Sequence, residues 1–317
     1  MLFDKNLGIA NNQLELGKLL KQYPSSEYDP LYVCLASRVD LKEERQWIED
    51  MCMEYQQEQL ADSDFASAFR VDCSARAWEL YLGITLHKRW GLQPKHKNDG
   101  PDFKTIHNTD KGAQTVWIEA IAVEKGEVPN RVPEMVVDGV GKLPEDKMLL
   151  RLMNGLDKKS GVKGYCKYVK QGVVRIDDPY IIAINRSKLE HVDPQVPLIL
   201  KCLFGLGDQA LFTEPEKSDL KGKGSYYSTR HHIQKENGSN VAMDFFDNPE
   251  HSGISAVIYV ETDIINSPIL PEKMGDNFTI VLNTYAKNPL PEELLTFGNI
   301  WRKEGEQIYL INALKNE

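Results

Sequence analysis

The sequence predicts an α/β (α+β) fold: a central mixed sheet flanked by helices, with a helical extension at the N-terminus. Three observations predict it. Val116-Trp-Ile-Glu-Ala-Ile-Ala-Val123 is a short run, rich in β-branched and aromatic residues, of the kind that forms a strand buried on both faces. Tyr180-Ile-Ile-Ala-Ile-Asn185 is a second such run. Apolar residues at Ala75, Trp78, Leu82 and Leu86, and again at Met148, Leu149, Leu152 and Leu156, keep helical spacing before and between those strands.

In chain order, the first 68 residues read as helical. Asn11 to Tyr23 carries leucines at 14, 16, 19 and 20 and stops at Pro24-Ser-Ser. A second helix starts near Asp40 and runs to about Leu60, and its many acids read as a solvated face. The helix over 72–91 takes Asp72 or Ser74 as its cap and ends at Gly91. Glu79 sits inside it, one turn after Arg76, at the spacing of an i, i+3 pair. The polar approach Gln93 to Gly100 leads into a strand over Asp102–His107. Asn108-Thr-Asp-Lys-Gly turns the chain, and Thr115–Val123 returns as the core strand. A carboxylate near the start of the first strand can then meet one inside the second.

Residues 144–171 read as helix, interrupted near Gly161, with Arg151, Lys158, Lys159, Lys163 and Lys167 on its polar side. Helix is expected again from Pro197, and strands at Ile254–Val260 and Phe278–Asn283. Residues 217–240 are polar and glycine-rich, with Lys217, Lys221, Lys223, Arg230, His231, His232 and Lys235 around Tyr226 and Tyr227, suited to a solvated loop or a phosphate contact. Adjacent histidines on a strand point to opposite faces and make a poor pair of ligands for one ion. Gly222-Lys-Gly224 has glycine where a phosphate-binding loop needs Ser or Thr.

At 317 residues, with 41% hydrophobic and 27% charged residues, the chain has the composition of a globular protein. No apolar run approaches the ~20 residues of a membrane span, and the start lacks the layout of a signal peptide, so a cytoplasmic protein is expected. Five scattered cysteines without C-x-x-C spacing read as reduced thiols, with Cys166 expected in the core. A net charge of -9 argues against a general nucleic-acid coat protein but allows an enzyme with a local basic cleft. No linker divides the chain, which favours residues 1–70 as a helical extension on one domain over 71–317.

One residue breaks the pattern. Glu119 puts a carboxylate in a strand that should be dry, and a buried charge must be neutralised, paired or bound to a metal. Just upstream stands Gly100-Pro101-Asp102. At Glu79, Gly100-Pro101-Asp102 and Glu119, and in the order helix, strand, strand, helix, strand over residues 72–185, the chain resembles the PD-(D/E)xK nuclease superfamily. That resemblance implies a restriction-endonuclease-like core and a nuclease that hydrolyses phosphodiesters in nucleic acid, DNA before RNA, in restriction, phage defence or repair. It implies Asp102 and Glu119 as ligands of Mg²⁺ or Mn²⁺, with Glu79 assisting. The pattern wants lysine two residues after the glutamate, where this chain has Ile121. Lys104, which shares strand parity with Asp102, and Lys158 or Lys163 on the later helix are the substitutes. Two other readings remain: a catalytically silent nuclease fold kept for binding or assembly with a protein partner or a second copy, and an unrelated protein in which Glu119 pairs with Arg76 or Arg151.

Overall fold

The computed structural model describes residues 2–4, 6–24, 26–94, 100–109, 112–135, 141–191, 196–211 and 225–312. The fold is α+β, with a large mixed sheet flanked by helices. Four helices come first: α1 (Gln13–Gln22), α2 (Pro30–Ser37), α3 (Lys42–Gln57) and α4 (Phe65–Val71). The long helix α5 (Cys73–Trp90) follows, and then the hairpin β1 (Phe103–Thr109) and β2 (Gly112–Ala122). Next come α6 (Glu145–Ser160), α7 (Tyr165–Lys170) and β3 (Tyr180–Asn185), so the expected helix, strand, strand, helix, strand order is present, with α7 added before the last strand.

Beyond it lie α8 (Leu198–Phe204), β4 (Leu206–Leu211), β5 (Ser225–Thr229), β6 (His232–Gln234) and β7 (Asn240–Ala242). The chain returns to the main sheet with β8 (Ala256–Val260), β9 (Thr279–Leu282), β10 (Asn299–Glu304) and β11 (Gln307–Asn312). The seven strands lie in the order β1-β2-β3-β8-β9-β10-β11. β2, β3 and β8 run parallel, and β1 pairs antiparallel with β2. Strands β4–β5 and β6–β7 form separate ribbons.

Each sheet face buries its own core. On one, Phe103, Val116 and Ile118 meet α5 through Trp78 and Leu82. On the other, Trp117, Ile121 and Val123 join the α6 stripe Met148, Leu149, Leu152 and Leu156. The alternation of residues 116–118 between faces is the strand period read directly. The N-terminal helices do not stand apart as an extension: Tyr55, Phe65 and Phe69 belong to the same cluster as α5 and Phe103, and the Tyr55 and Phe103 rings lie 6.3 Å apart.

Helix ends were only partly readable. Gly91 closes α5 in the left-handed region at φ 66°, as expected. The start of α5 is different. Neither Asp72 nor Ser74 caps it with its own side chain; the Asp29 carboxylate caps α2 through the Leu31 N–H and also accepts the Ser74 N–H at 3.3 Å. Two helices thus share one cap, 45 residues apart in sequence. All five cysteines are unpaired, and Cys166 is exposed rather than in the core, because Tyr168 takes the inward side of the short helix α7. The lysines at 217, 221 and 223 lie outside the described residues. Among the described residues no helix is long and apolar enough to cross a membrane.

Candidate active site

Glu119 sits mid-way along β2, paired with Ile182 of β3, and is 5% exposed. The β1–β2 register pairs Phe103 with Ile118. Continued by one residue, it sets Asp102 directly opposite Glu119, a relation that brings Cβ atoms within about 5 Å in an antiparallel pair. The Asp102 carboxylate accepts the Ala120 N–H at 2.7 Å, standing in for the strand carbonyl that β1 does not yet supply. Gly100 leaves room for this turn, since a Cβ there would meet Val173 at 3.3 Å. Asp102, Lys104, Trp117 and Glu119 share the face that looks toward α6.

The cation on Glu119 comes from α6. Lys159 Nζ donates to Glu119 Oε1 at 2.5 Å, with the lysine side chain 16% exposed. Sequence reasoning missed this residue and nominated its neighbour. Lys158 is exposed and forms no ion pair among the described residues. The signal was there: the buried positions Leu149, Leu152 and Leu156 continue by helical spacing to 159, whereas 158 lies about 100° around the helix. Lys104 shares that face but lies over Trp117, its ammonium 5.7 Å from the ring centroid. Trp117 is held in turn by its indole N–H, which donates to Asp178 at 3.0 Å.

Glu119 Oε2 has no hydrogen-bond partner among the described residues and is buried. The Tyr180 hydroxyl, on the neighbouring strand, is buried without a partner as well. Tyr168 of α7 borders the same carboxylate, and burial first, then the charges of Glu119 and Asp102, push its phenol up so that it stays protonated. The Glu119 carboxyl is raised to about 7. Burial is the main cause, the Asp102 charge adds to it, and the Lys159 ammonium opposes it.

Glu79 occupies the other face. Its Oε1 accepts the Tyr55 hydroxyl at 3.1 Å and its Oε2 accepts from Arg76 at 2.7 Å, so the i, i+3 pair read from the sequence forms, half-buried rather than at the surface. Arg76 is therefore not the partner of Glu119. Nor is Arg151, which lies against Gly126, where any Cβ would meet its guanidinium at 1.9 Å.

Glu79 does not close on the other two carboxylates. Among the described residues no group of three or more His, Cys, Asp and Glu side chains is gathered tightly enough to hold a metal ion. What the site offers a cation is two facing carboxylates, one with an orphaned buried oxygen. That suits Mg²⁺, which binds proteins through one or two carboxylates and keeps several of its waters. Comparison of the chain with protein-family models, curated proteins and solved structures finds no match.

Proposed function

We propose that this chain is a metal-dependent nuclease: a phosphodiesterase on nucleic acid, DNA rather than RNA, built on a restriction-endonuclease-like core. The observation that carries the reading is Glu119: a buried strand carboxylate with Lys159 on one oxygen, no hydrogen-bond partner on the other among the described residues, and Asp102 across the hairpin. In this reading Asp102 and Glu119 hold Mg²⁺ or Mn²⁺. The bound ion supplies a lowered water pKa and positive charge against the scissile phosphate. Lys159 takes the part of the lysine missing at position 121. Its ammonium sets the Glu119 carboxylate in place and adds a fixed positive charge at the reacting phosphate. Lys104, Lys158 and Glu79 have no direct part in the chemistry; Glu79 stiffens the face behind it.

A second reading, the silent binding module, draws support from one feature. The Lys159–Glu119 ion pair compensates part of the buried charge through protein groups alone. Cleavage of plasmid, single-stranded DNA and RNA in Mg²⁺ and Mn²⁺ separates the two, with Asp102→Ala and Glu119→Ala beside the wild type and folding checked by circular dichroism. The nuclease reading expects cleavage by the wild type and none by either variant. Failure of the wild type on all three substrates, with no Mg²⁺ binding by calorimetry, removes it in favour of the silent module.

A further inference from the structure

The end of α6, the following turn and α7 form a segment without acids. Between Asp157 and Asp177 the chain carries Lys158, Lys159, Lys163, Lys167, Lys170 and Arg175 and no Asp or Glu. In a chain of net charge -9 this concentration is a local inversion. Several lysines elsewhere are neutralised: Lys188 by Glu124, Lys125 by Glu190, Lys303 by Asp247 and Lys88 by Glu54. Lys158, Lys163, Lys167 and Lys170 are exposed and form no ion pair among the described residues. The segment also flanks the candidate site. Lys159 touches Glu119, Tyr168 borders the same carboxylate, and the Lys167 ammonium stands 5.0 Å from the Tyr168 ring centroid.

Four ammonium groups on one short segment, with no acid paired to them among the described residues, are a poor design for stability, because like charges repel. They are a good design for a polyanion that presents negative charges at regular intervals. We propose that Lys158, Lys163, Lys167 and Lys170 form the track on which a nucleic-acid phosphate backbone lies as it enters the site at Glu119. This rests on the nuclease reading for its direction, toward Glu119, but the binding itself needs no metal and no chemistry. Contacts of this kind are read by charge, so the track binds backbone without preference for base sequence.

The test is binding of a fluorescein-labelled DNA oligonucleotide to the full chain in EDTA, followed by anisotropy across a salt series. The wild type is compared with K163Q/K167Q/K170Q and with K18Q/K21Q/K42Q, which removes the same charge from exposed positions on α1 and α3. Each lost phosphate contact lowers the slope of log K against log salt by about 1. The track therefore predicts a slope smaller by about 3 for the first triple variant and an unchanged slope for the second. Equal slopes for all three proteins overturn it, as does equal weakening by both triple variants. Binding to anionic phospholipid vesicles without binding to the oligonucleotide overturns it too.

Mg²⁺-dependent cleavage is measured in parallel. Track-dependent binding with no cleavage by the wild type sustains the track and sinks the nuclease reading. Cleavage that persists with binding indifferent to the track lysines does the reverse.

Discussion

Two buried glutamates lie on opposite faces of the same hairpin, and their surroundings differ. Glu79, on the α5 side, is 6% exposed, with a tyrosine hydroxyl on one oxygen and an arginine on the other. Glu119, on the α6 side, is 5% exposed, with a lysine on one oxygen and, among the described residues, no hydrogen-bond partner on the second. Burial alone therefore says little about role. Glu79 is satisfied as a structural group is: Tyr55 ties it to α3 and Arg76 braces it within α5. Glu119 is held in place yet left incomplete, and an incomplete buried carboxylate is costly unless something else finishes it.

Removing the charge from each glutamate should give opposite results. Glu119→Gln is expected to lower Mg²⁺ affinity and cleavage by more than about 100-fold, beyond the range of changes behind the ligands, with little loss of fold. Glu79→Gln should keep Mg²⁺ binding and cost about 2 kcal/mol in urea unfolding, because Arg76 and Tyr55 lose an ionised acceptor. If Glu79→Gln abolishes Mg²⁺ binding in a folded protein, the two carboxylates belong to one site and the contrast fails.

The lysine sharpens the same contrast. Lys159→Met should cut cleavage at neutral pH by about 100-fold, the scale of a lost charge-stabilising group. It should also displace the pH–rate profile to higher pH, since Glu119 loses the cation that opposes its protonation. Lys158→Met should leave the profile where it is. An equal shift in both variants would mean that general surface charge, not the 2.5 Å pair, governs Glu119.

The support of Lys159 can be broken without touching it. A Cβ on Gly164 would stand 1.9 Å from the Lys159 carbonyl oxygen, a contact that only backbone movement relieves. Gly164→Ala is expected to cost about 1–3 kcal/mol and to reduce cleavage with Lys159 still present. Gly172→Ala is the comparison: it stands in open space at φ 71°, so it carries backbone strain but no clash and should spare the site.

The last effect is on stability against pH. In the folded protein the Glu119 carboxyl titrates near 7, above its ordinary value of 4.5. The fold therefore favours the neutral form. This group costs nothing below pH 4.5, and its cost grows as pH rises and is complete above about 7. Wild-type stability should fall through that window by about 1–3 kcal/mol from this residue, a fall absent in Glu119→Gln and reversed above pH 7 by Mg²⁺. Thermal melts at pH 5 and pH 8 with and without Mg²⁺ measure it. A Glu119→Gln protein with the same pH slope as the wild type would show that Glu119 is not the group responsible.

Much of the framework was legible from local pattern. Tyr180–Asn185 forms a strand with the bounds its apolar run announced, and Gly161 ends α6 as its position suggested. The C-terminal strands β10 and β11 were not seen, because Trp301-Arg-Lys-Glu and Gln307-Ile-Tyr-Leu alternate too weakly to announce a buried face. β11 is the edge strand and β10 lies next to it, where one side is half-solvated. Helices α2 and α4 were also hidden, merged into a stretch read only as helical.

By itself the sequence determined that a charge lies in a dry strand, that Gly-Pro-Asp precedes it, and that a helix–hairpin–helix–strand order surrounds both. Those are properties of residues near each other in the chain, and local periodicity exposes them. Only the tertiary structure decided what answers the charge. Register set Asp102 opposite Glu119, and the phase of α6 against the sheet chose Lys159 over Lys158. Packing of α3 and α5 on the other face turned Glu79 toward Tyr55 and Arg76. Each of these choices depends on how one element is rotated or shifted against another. A rotation of about 100° or a slip of one residue exchanges a partner for a bystander, and no local pattern records it.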